Sequence, residues 1–347
     1  MVKKGQNCTL YGESVPEIFR IPSGAPLIGS VSFGVIDRGT NVIQVRPSTS
    51  CSLSCIFCST DAGPCSRRRR AEYLVDLDHM MEWVRGLVAV KGGGVEAHID
   101  TVGDPFTYPR LVDLVSAISD LGGVETISLQ THGYLMSEGL ISNLAEAGLD
   151  RVNLSLDSVD PDLAKKLSGA ESYDLKKIVD NAQYLVENTS IDLLLAPVWV
   201  HPLNDDQLEG LIDLAKRLGA GRKWPPLGIQ KCEFHKSGRR TKEMKQVSWY
   251  AFYRRMRELE KVSGVKMVLR PSDFGIRAAP SVAVPFGRGE KLSVRVIGPG
   301  WLKGESLAAT KDLKWAVTVV GHELPVDEEV RVRLLRTRDN ILIGILC

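Results

Sequence analysis

The sequence predicts an α/β chain: a partial barrel of six strand-helix units followed by a small all-β barrel. Three observations predict it. From about Val42, short β-rich runs alternate with helical patterns, as in a parallel sheet wrapped by helices. Past Gly264 that rhythm stops in a stretch rich in Pro and Gly, "MVLRPSDFGIRAAPSVAVPFGRGE". Beyond it apolar and polar residues alternate with period two and no helical period returns.

Taken in order, "VIQVRP" reads as the first strand, and "DLDHMMEWVRGLVAVKGGG" as a helix capped by Asp76 or Asp78 and stopped at Gly92 to Gly94. "AHIDTVGDP" is the second strand, followed by "YPRLVDLVSAISDLGG", with Pro109 near its first turn and Gly122 past its end. "TISLQTHG" with "SEGLISNLAEAG" is the third unit. "RVNLSLDS" begins the fourth, which carries a short helix capped by Asp160 ahead of "YDLKKIVDNAQYLVEN". "IDLLLAPVWV" with "DDQLEGLIDLAKRLG" is the fifth, and "PLGIQKCEF" with "TKEMKQVSWYAFYRRMRELEKVSG" the sixth. Six units are too few for a closed eightfold barrel and enough for an open one. In the last helix Trp249, Phe252 and Tyr253 recur at helical spacing with Met256 and Leu259, the pattern of a core stripe. The tail supplies "KLSVRVIG", "KWAVTVVG", "EEVRVRLLR" and "NILIGILC" as strands of a compact barrel.

The 347 residues exceed one ordinary core and suit a large domain plus a smaller one. The expected division is an N-terminal extension over 1–40, the βα domain over 41–275, a linker over 276–285 and the barrel over 286–347. The apolar fraction, 44%, is that of a globular protein, and no apolar run approaches the roughly eighteen residues that cross a bilayer. No membrane partner is expected. "MVKKGQNCTLYGES" lacks the apolar segment of a secretory signal, and seven cysteines, unevenly spaced, argue for reduced thiols. The expected compartment is the cytoplasm.

Net charge is only +2, but its distribution is uneven. Ten Lys or Arg between Leu214 and Lys245 face Glu233 and Glu243, and "RRRR" at Arg67 to Arg70 adds a second block. Such clusters either form a solvated face or attract polyanions.

"CSLSCIFCS" places Cys51, Cys55 and Cys58 within eight residues. A structural zinc site needs four closed ligands, commonly in two pairs; no second pair is present, although Cys65 lies nearby. The competing reading is a [4Fe–4S] cluster held at three irons by three thiolates, with the fourth iron open to a substrate.

C-x3-C-x2-C in the loop after the first strand, with Phe57 just before the third cysteine, resembles the radical S-adenosylmethionine (radical SAM) superfamily. The resemblance runs from about Asn41 to Gly275. It implies a [4Fe–4S] cluster on Cys51, Cys55 and Cys58, and S-adenosylmethionine cleaved to methionine and a 5′-deoxyadenosyl radical. "VGDP", with Gly103, Asp104 and Pro105, is similar to the segment that holds the methionine amino group through its carbonyls; Asp104 replaces the usual Glu. "LQTHG", with Gln130 and Thr131, resembles the motif after the third strand. "NLSLDS", with Asn153, Ser155 and Asp157, resembles the fourth strand that holds ribose and carboxylate, and "GIQK", with Gly228 and Ile229, the backbone that packs against adenine. In a parallel sheet ligands bind at the carboxyl ends of the strands, where Asn153, Ser155 and Asp157 share one parity. Asp100 and His132 sit at neighbouring strand ends and Cys232 on the sixth strand; these three are the catalytic candidates, and each also has a purely structural reading.

From about Phe286 the tail resembles a TRAM domain, an OB-like barrel found on enzymes that modify tRNA and rRNA, through "GEKLSVRVIG", "KGESLAAT", "WAVTVVG" and "EEVRVRLLRTRDNILIGIL". The resemblance implies a radical modification of a nucleotide in tRNA or rRNA, with a reduced ferredoxin or flavodoxin as electron donor. Lys236, Arg239, Arg240, Arg331, Arg333, Arg336 and Arg338 are the candidate phosphate contacts. Methylthiolation is disfavoured, because the amino-terminal segment supplies only Cys8 where that family carries three further cysteines. The alternatives are radical chemistry on a peptide, lipid or small metabolite, with the barrel as a structural lid, and a non-catalytic, metal-stabilised RNA-binding protein.

Overall fold

The computed structural model describes residues 16–347; Cys8 and the amino-terminal segment read above lie outside them. By their internal contacts the described residues form two compact units that interleave along the chain. One comprises Cys51–Cys65 and Ser128–Ile276; the other comprises 16–50, Ser66–Ile127 and Arg277–Cys347. Neither coincides with one of the four sequential segments expected above.

In the second unit, β1 (Glu17–Arg20), β2 (Gly34–Asp37), β3 (Val42–Arg46), β4 (Ala71–Leu74), α1 (Leu77–Lys91) and β5 (Val95–Ile99) follow one another. The expected first and second strands, β3 and β5, pair in parallel with Val42 opposite Glu96, and β2 pairs antiparallel with β3. Residues 34–37 thus form a strand in what reads as an extension. β4 pairs in parallel with β1, a pairing the sequence hid because Ala71–Leu74 follows the arginine block. Helix α1 is capped as expected: Asp76 accepts from the Asp78 amide at 3.0 Å, and Gly92 closes it at φ 77°. At its end Lys91 forms a fully buried ion pair with Asp37. Helix α2 (Leu111–Ser119) follows, one residue past its Arg110 N-cap.

Strand β6 (Val124–Thr131) ends in the first unit, where Ser128–Thr131 pair in parallel with β7 (Arg151–Leu154). Between them lies α3 (Glu138–Glu146). Then come α4 (Pro161–Ser168), α5 (Leu175–Asn188), β8 (Asp192–Leu195), β9 (Val198–Trp199), α6 (Gln207–Leu218), β10 (Gln230–Lys231) and α7 (Trp249–Ser263). β7 pairs in parallel with β8, and β8 continues through a parallel bridge from Leu195 to Leu227. The expected sixth strand is short, its Gln230 and Lys231 pairing with Val198 and Trp199. Asp160 and Asp174 cap α4 and α5 by accepting from Leu163 N at 2.7 Å and Lys177 N at 3.1 Å. Helix α6 turns Leu208, Leu211, Ile212, Ala215 and Leu218 inward at i, i+3, i+4 spacing, and each buried Leu or Ile contributes roughly 2 kcal/mol of transfer free energy.

Helix α7 departs from expectation. Its Ser248 cap, accepting from Ala251 N, starts it seven residues after Thr241, where the helical pattern was placed. Phe252, Met256 and Leu259 are buried, but Trp249 and Tyr253 are exposed, and so is Tyr250. Trp249 and Tyr253 stack on each other at 5.7 Å instead of entering the core. A helix has one inward stripe, and residues 252, 256 and 259 already fill it.

The carboxyl-terminal tail closes into a barrel of five strands in the order β11-β12-β13-β15-β14, comprising β11 (Lys291–Pro299), β12 (Glu305–Thr310), β13 (Ala316–Val320), β14 (Glu329–Arg336) and β15 (Ile343–Leu346). β12, "ESLAAT", is the strand not counted among the four expected, because its burial is almost continuous and shows no alternation. Among the described residues no helix is long and apolar enough to cross a membrane.

Candidate active site

The cysteine loop, Cys51–Cys65, is irregular backbone held by distant partners in its own unit. Ser54 N and Ile56 N donate to Ser168 O and Leu167 O at 3.0 Å each, where α4 ends. Gly169, in the left-handed region at φ 62°, lies against this contact; a Cβ there would sit 2.2 Å from Ser54 O. On another side, Arg239 donates from Nε to Cys55 O at 2.8 Å and pairs with Asp61 at 3.0 Å. Phe57, the aromatic before the third cysteine, is buried.

Cys51, Cys55 and Cys58 are not joined in disulfides. Leu53 N donates toward Cys51 Sγ at 3.4 Å and Ala62 N toward Cys58 Sγ at 3.2 Å, so two sulfurs already receive backbone donors suited to thiolates. Burial pushes the Cys55 thiol well above its ordinary value; Cys51, Cys58 and Asp157 push the same way, and Arg239 opposes them. Three thiolates in so dry a loop repel one another, and a bound metal cation removes that penalty by deprotonating its ligands outright. Among the described residues no three His, Cys, Asp or Glu side chains converge on one ion as a mononuclear site requires. A cubane cluster asks for something else, since each thiolate takes its own iron. The soft, all-sulfur donor set fits an iron–sulfur cluster.

Around this loop the first unit gathers several predicted residues. At the carboxyl end of β7, Asp157 is buried; desolvation raises its carboxyl above the ordinary range, while His132 and the Val198 N–H, donating at 2.7 Å, lower it. Its charge also reaches Cys55 and Cys232. His132 Nδ1 lies 3.2 Å from Ser155 O, and Ser155 N donates to Thr131 O at 2.7 Å. Thr131 Oγ1 accepts from Gly133 N, which fixes the turn after β6. Gln130 pairs in register with Asn153, whose Oδ1 accepts from Arg151 Nε at 3.0 Å. Gly228 N donates to Leu195 O, and Ile229 follows it into β10. Cys232, just past β10, is buried, and burial chiefly pushes its thiol up to about 11, so near neutral pH it is an S–H group.

Asp100, Gly103, Asp104 and Pro105 lie in the second unit. Gly103 packs on the backbone that leads into the cysteine loop: a Cβ would meet Ser50 O at 2.1 Å and Thr49 O at 2.4 Å. Asp104 N donates to Ser50 O at 2.8 Å, and the Asp104 carboxylate caps a short 3₁₀ turn beginning at Pro105 by accepting from Phe106 N. Asp100 is an ion-pair partner of Arg46, and Gln44 donates to it as well. Burial alone would raise its carboxyl; the Arg46 guanidinium overrides that and holds it below the ordinary value. Both its oxygens are thus occupied as an anion, which leaves it poorly suited to trade protons.

Sequence reading missed Arg69. Inside what read as a uniform charge block, this side chain is fully buried, paired with Glu72 at 2.8 Å and stacked 4.8 Å over Trp301. Its guanidinium donates to Thr49 O and to Val102 O, bracing the strand that enters the cysteine loop and the "VGDP" segment together. The only sequence signal was Glu72, three residues on in a β-rich run.

The candidate phosphate contacts divide. Arg239 is turned into the cysteine loop and is unavailable to a polyanion, a correction that follows from its neighbours Cys55, Asp61 and Ala62. Arg336 and Arg338 both face Asp339, at 2.8 and 3.7 Å, so their charge is locally offset. Lys236 and Arg240 are exposed, Arg240 lying 5.8 Å over Phe234. Arg331 and Arg333 alternate with buried Val332 and Leu334 and point outward from the barrel.

Residues 45–215 match the Radical SAM superfamily. The chain belongs to that superfamily. Radical SAM enzymes use a [4Fe–4S] cluster and S-adenosylmethionine, and these are the cofactors of this chain. It is 38% identical to an uncharacterized protein of Methanocaldococcus jannaschii over 92% of this chain and 78% of that one. It is 27% identical to the GTP 3′,8-cyclase of Alkaliphilus oremlandii over 177 residues, 51% of this chain and 53% of the cyclase. The match spans about half the length of that cyclase. Among solved structures, the FeFe-hydrogenase maturase HydG of Carboxydothermus hydrogenoformans superposes with a TM-score of 0.51 at 13% identity, over 63% of this chain and 50% of that one, a likeness of fold.

Proposed function

We propose that this radical SAM enzyme modifies a nucleotide in tRNA or rRNA. Cys51, Cys55 and Cys58 are the cluster ligands in this reading, and Ser155 and Asp157, in the same unit, receive S-adenosylmethionine. When bound, the cluster supplies the electron for reductive cleavage of S-adenosylmethionine, and the organic chemistry is the cofactors' own. The chain's share is to hold the donors in a dry loop, orient the sulfonium compound and keep water out. Asp157, fixed by Val198 N and flanked by His132, orients a polar group of the ligand. Cys232, kept as a thiol by burial, is the hydrogen-atom donor to a substrate radical in this reading. The electron itself comes from a small reductant such as ferredoxin or flavodoxin.

The observation that carries the RNA reading is a cationic ladder on the barrel, which we read as a TRAM-like module. Lys291 on β11 stands directly opposite Arg333 on β14, and Ser293 opposite Arg331, all exposed. Like charges facing across a strand pair destabilise it, so such a pair is best accounted for by an external anion. Exposed Trp249, Tyr250 and Tyr253 in the other unit, with Lys231 lying 4.8 Å over Trp249, add faces on which bases stack. A small nucleotide is the second reading, favoured by the match to GTP 3′,8-cyclases.

Two measurements test this. Modified nucleosides are compared in RNA from cells with and without the gene; a nucleoside lost with the gene supports the proposal, and identical profiles count against it. The triple variant Lys291→Gln, Arg331→Gln, Arg333→Gln should bind bulk tRNA more weakly with a shallower salt dependence, by about 0.7 to 0.9 in log–log slope per lost phosphate contact. Deoxyadenosine formed with GTP and not with RNA would favour the small-nucleotide reading.

A further inference from the structure

We propose that Arg239 is the positioning residue of the cluster-binding loop, setting where Cys55 and Cys58 present their sulfurs. It reaches the loop from a segment 184 residues beyond Cys55. Four contacts converge there. Arg239 Nε donates to Cys55 O at 2.8 Å, Nη1 to Asp61 Oδ1 at 3.0 Å and Nη2 to Ala62 O, while its backbone N donates to Cys58 O at 2.8 Å. The guanidinium is a rigid planar fork, so engaging Cys55 and residues 61–62 together fixes the two flanks of Cys58 relative to each other.

The surroundings explain why a brace is needed. Inside the loop, the bonds from Cys58 N to Cys55 O at 3.1 Å and from Asp61 N to Cys58 O at 3.4 Å make only loose turns. Asp61 adopts φ 52°, a left-handed conformation that costs a non-glycine residue free energy and persists only where surrounding contacts hold it. Its ion pair with Arg239, in which Asp61 is almost fully buried, is such a contact. The approach of the Arg239 segment is close: a Cβ on Gly238 would lie 3.0 Å from both Cys58 O and Ser59 O. Cluster ligands depend on partners of this kind, whose loss commonly costs 10- to 100-fold in metal affinity. A lysine keeps the charge but offers no fork.

This inference rests on Cys51, Cys55 and Cys58 being the iron ligands, and the experiment separates the two claims. Full-length wild type, Arg239→Met and Arg239→Lys are reconstituted anaerobically with iron and sulfide. Iron release to a chelator, the electron paramagnetic resonance spectrum of the reduced protein and melting of the apoprotein are then compared. The expected result is at least about tenfold faster iron loss in both variants, with a broadened spectrum and apoprotein melting unchanged. Gly238→Ala should move in the same direction. Wild-type iron retention and spectrum in both Arg239 variants would overturn the proposal, as would iron loss that merely tracks a lowered apoprotein melting temperature. Should Arg239→Met fail to fold, Arg239→Lys decides by the same readouts. A wild type that takes up no iron–sulfur cluster would sink the ligand assignment, and this proposal with it.

Discussion

Arg46 and Asp100 meet through two parallel hydrogen bonds, Nε to Oδ1 at 2.9 Å and Nη2 to Oδ2 at 2.7 Å, in the interior of their unit. Gln44 Nε2 donates to the same carboxylate at 2.8 Å. Removing one member leaves the other charge buried without its counterion, so Asp100→Asn should cost about 3 kcal/mol in urea unfolding at pH 7. The pH dependence has a definite sign. Because the folded carboxyl lies below its unfolded value of 3.8, its stabilisation is fully present above that pH and is lost as pH falls through the folded value. The gap between wild type and Asp100→Asn should therefore close as pH is lowered below about 4. A variant equal to wild type in stability but dead in S-adenosylmethionine cleavage would restore Asp100 as a catalytic group.

Gly103 and Gly228 stand in comparable motifs but differ in room. At Gly103 a Cβ would strike two backbone carbonyls, Ser50 O and Thr49 O, neither of which swings aside as a side chain does. At Gly228 the nearest atoms are the Leu194 and Leu269 methyls at 3.5 and 3.6 Å, ordinary contact distances. Gly103→Ala should lose about 2 kcal/mol or more, and Gly228→Ala less than about 1 kcal/mol, by urea unfolding. Equal tolerance at both sites would refute the close approach at Gly103.

Cys232 offers a chemical test. With its thiol pushed up to about 11, the thiolate fraction at pH 8 is roughly one in a thousand, and the thiolate is the form that alkylates. Iodoacetamide labelling of Cys232, followed by peptide mass spectrometry, should be slow at pH 8 and rise with pH toward 11, while the exposed Cys347 labels readily. Labelling of Cys232 as fast as Cys347 at pH 8 would show that its environment is neither dry nor closed.

The two faces of α7 make opposite predictions. Phe252 is buried, and Phe252→Ala should cost about 3 to 5 kcal/mol. Trp249 and Tyr250 are 54% and 74% exposed, and Trp249→Ser or Tyr250→Ser should stay within about 0.5 kcal/mol of wild type in thermal unfolding. A large loss at Trp249 would return it to the core stripe that its spacing suggests.

Features whose causes are local were legible in the sequence. The alternation of strand and helix, the caps at Asp76 and Asp160, and the spacing of Cys51, Cys55 and Cys58 each depend on residues a few positions apart. The tertiary structure alone decided which charges are buried and which aromatics are not. A block of four arginines reads as one solvated patch, yet Arg69 lies inside, where Glu72, Thr49 and Val102 can satisfy its donors. Arg239 belonged to a basic run that pointed to RNA, and only folding sets it against the carbonyl of Cys55, 184 residues away. Burying a guanidinium requires acceptors on every side, and acceptors brought together from distant segments leave no periodic mark in the sequence.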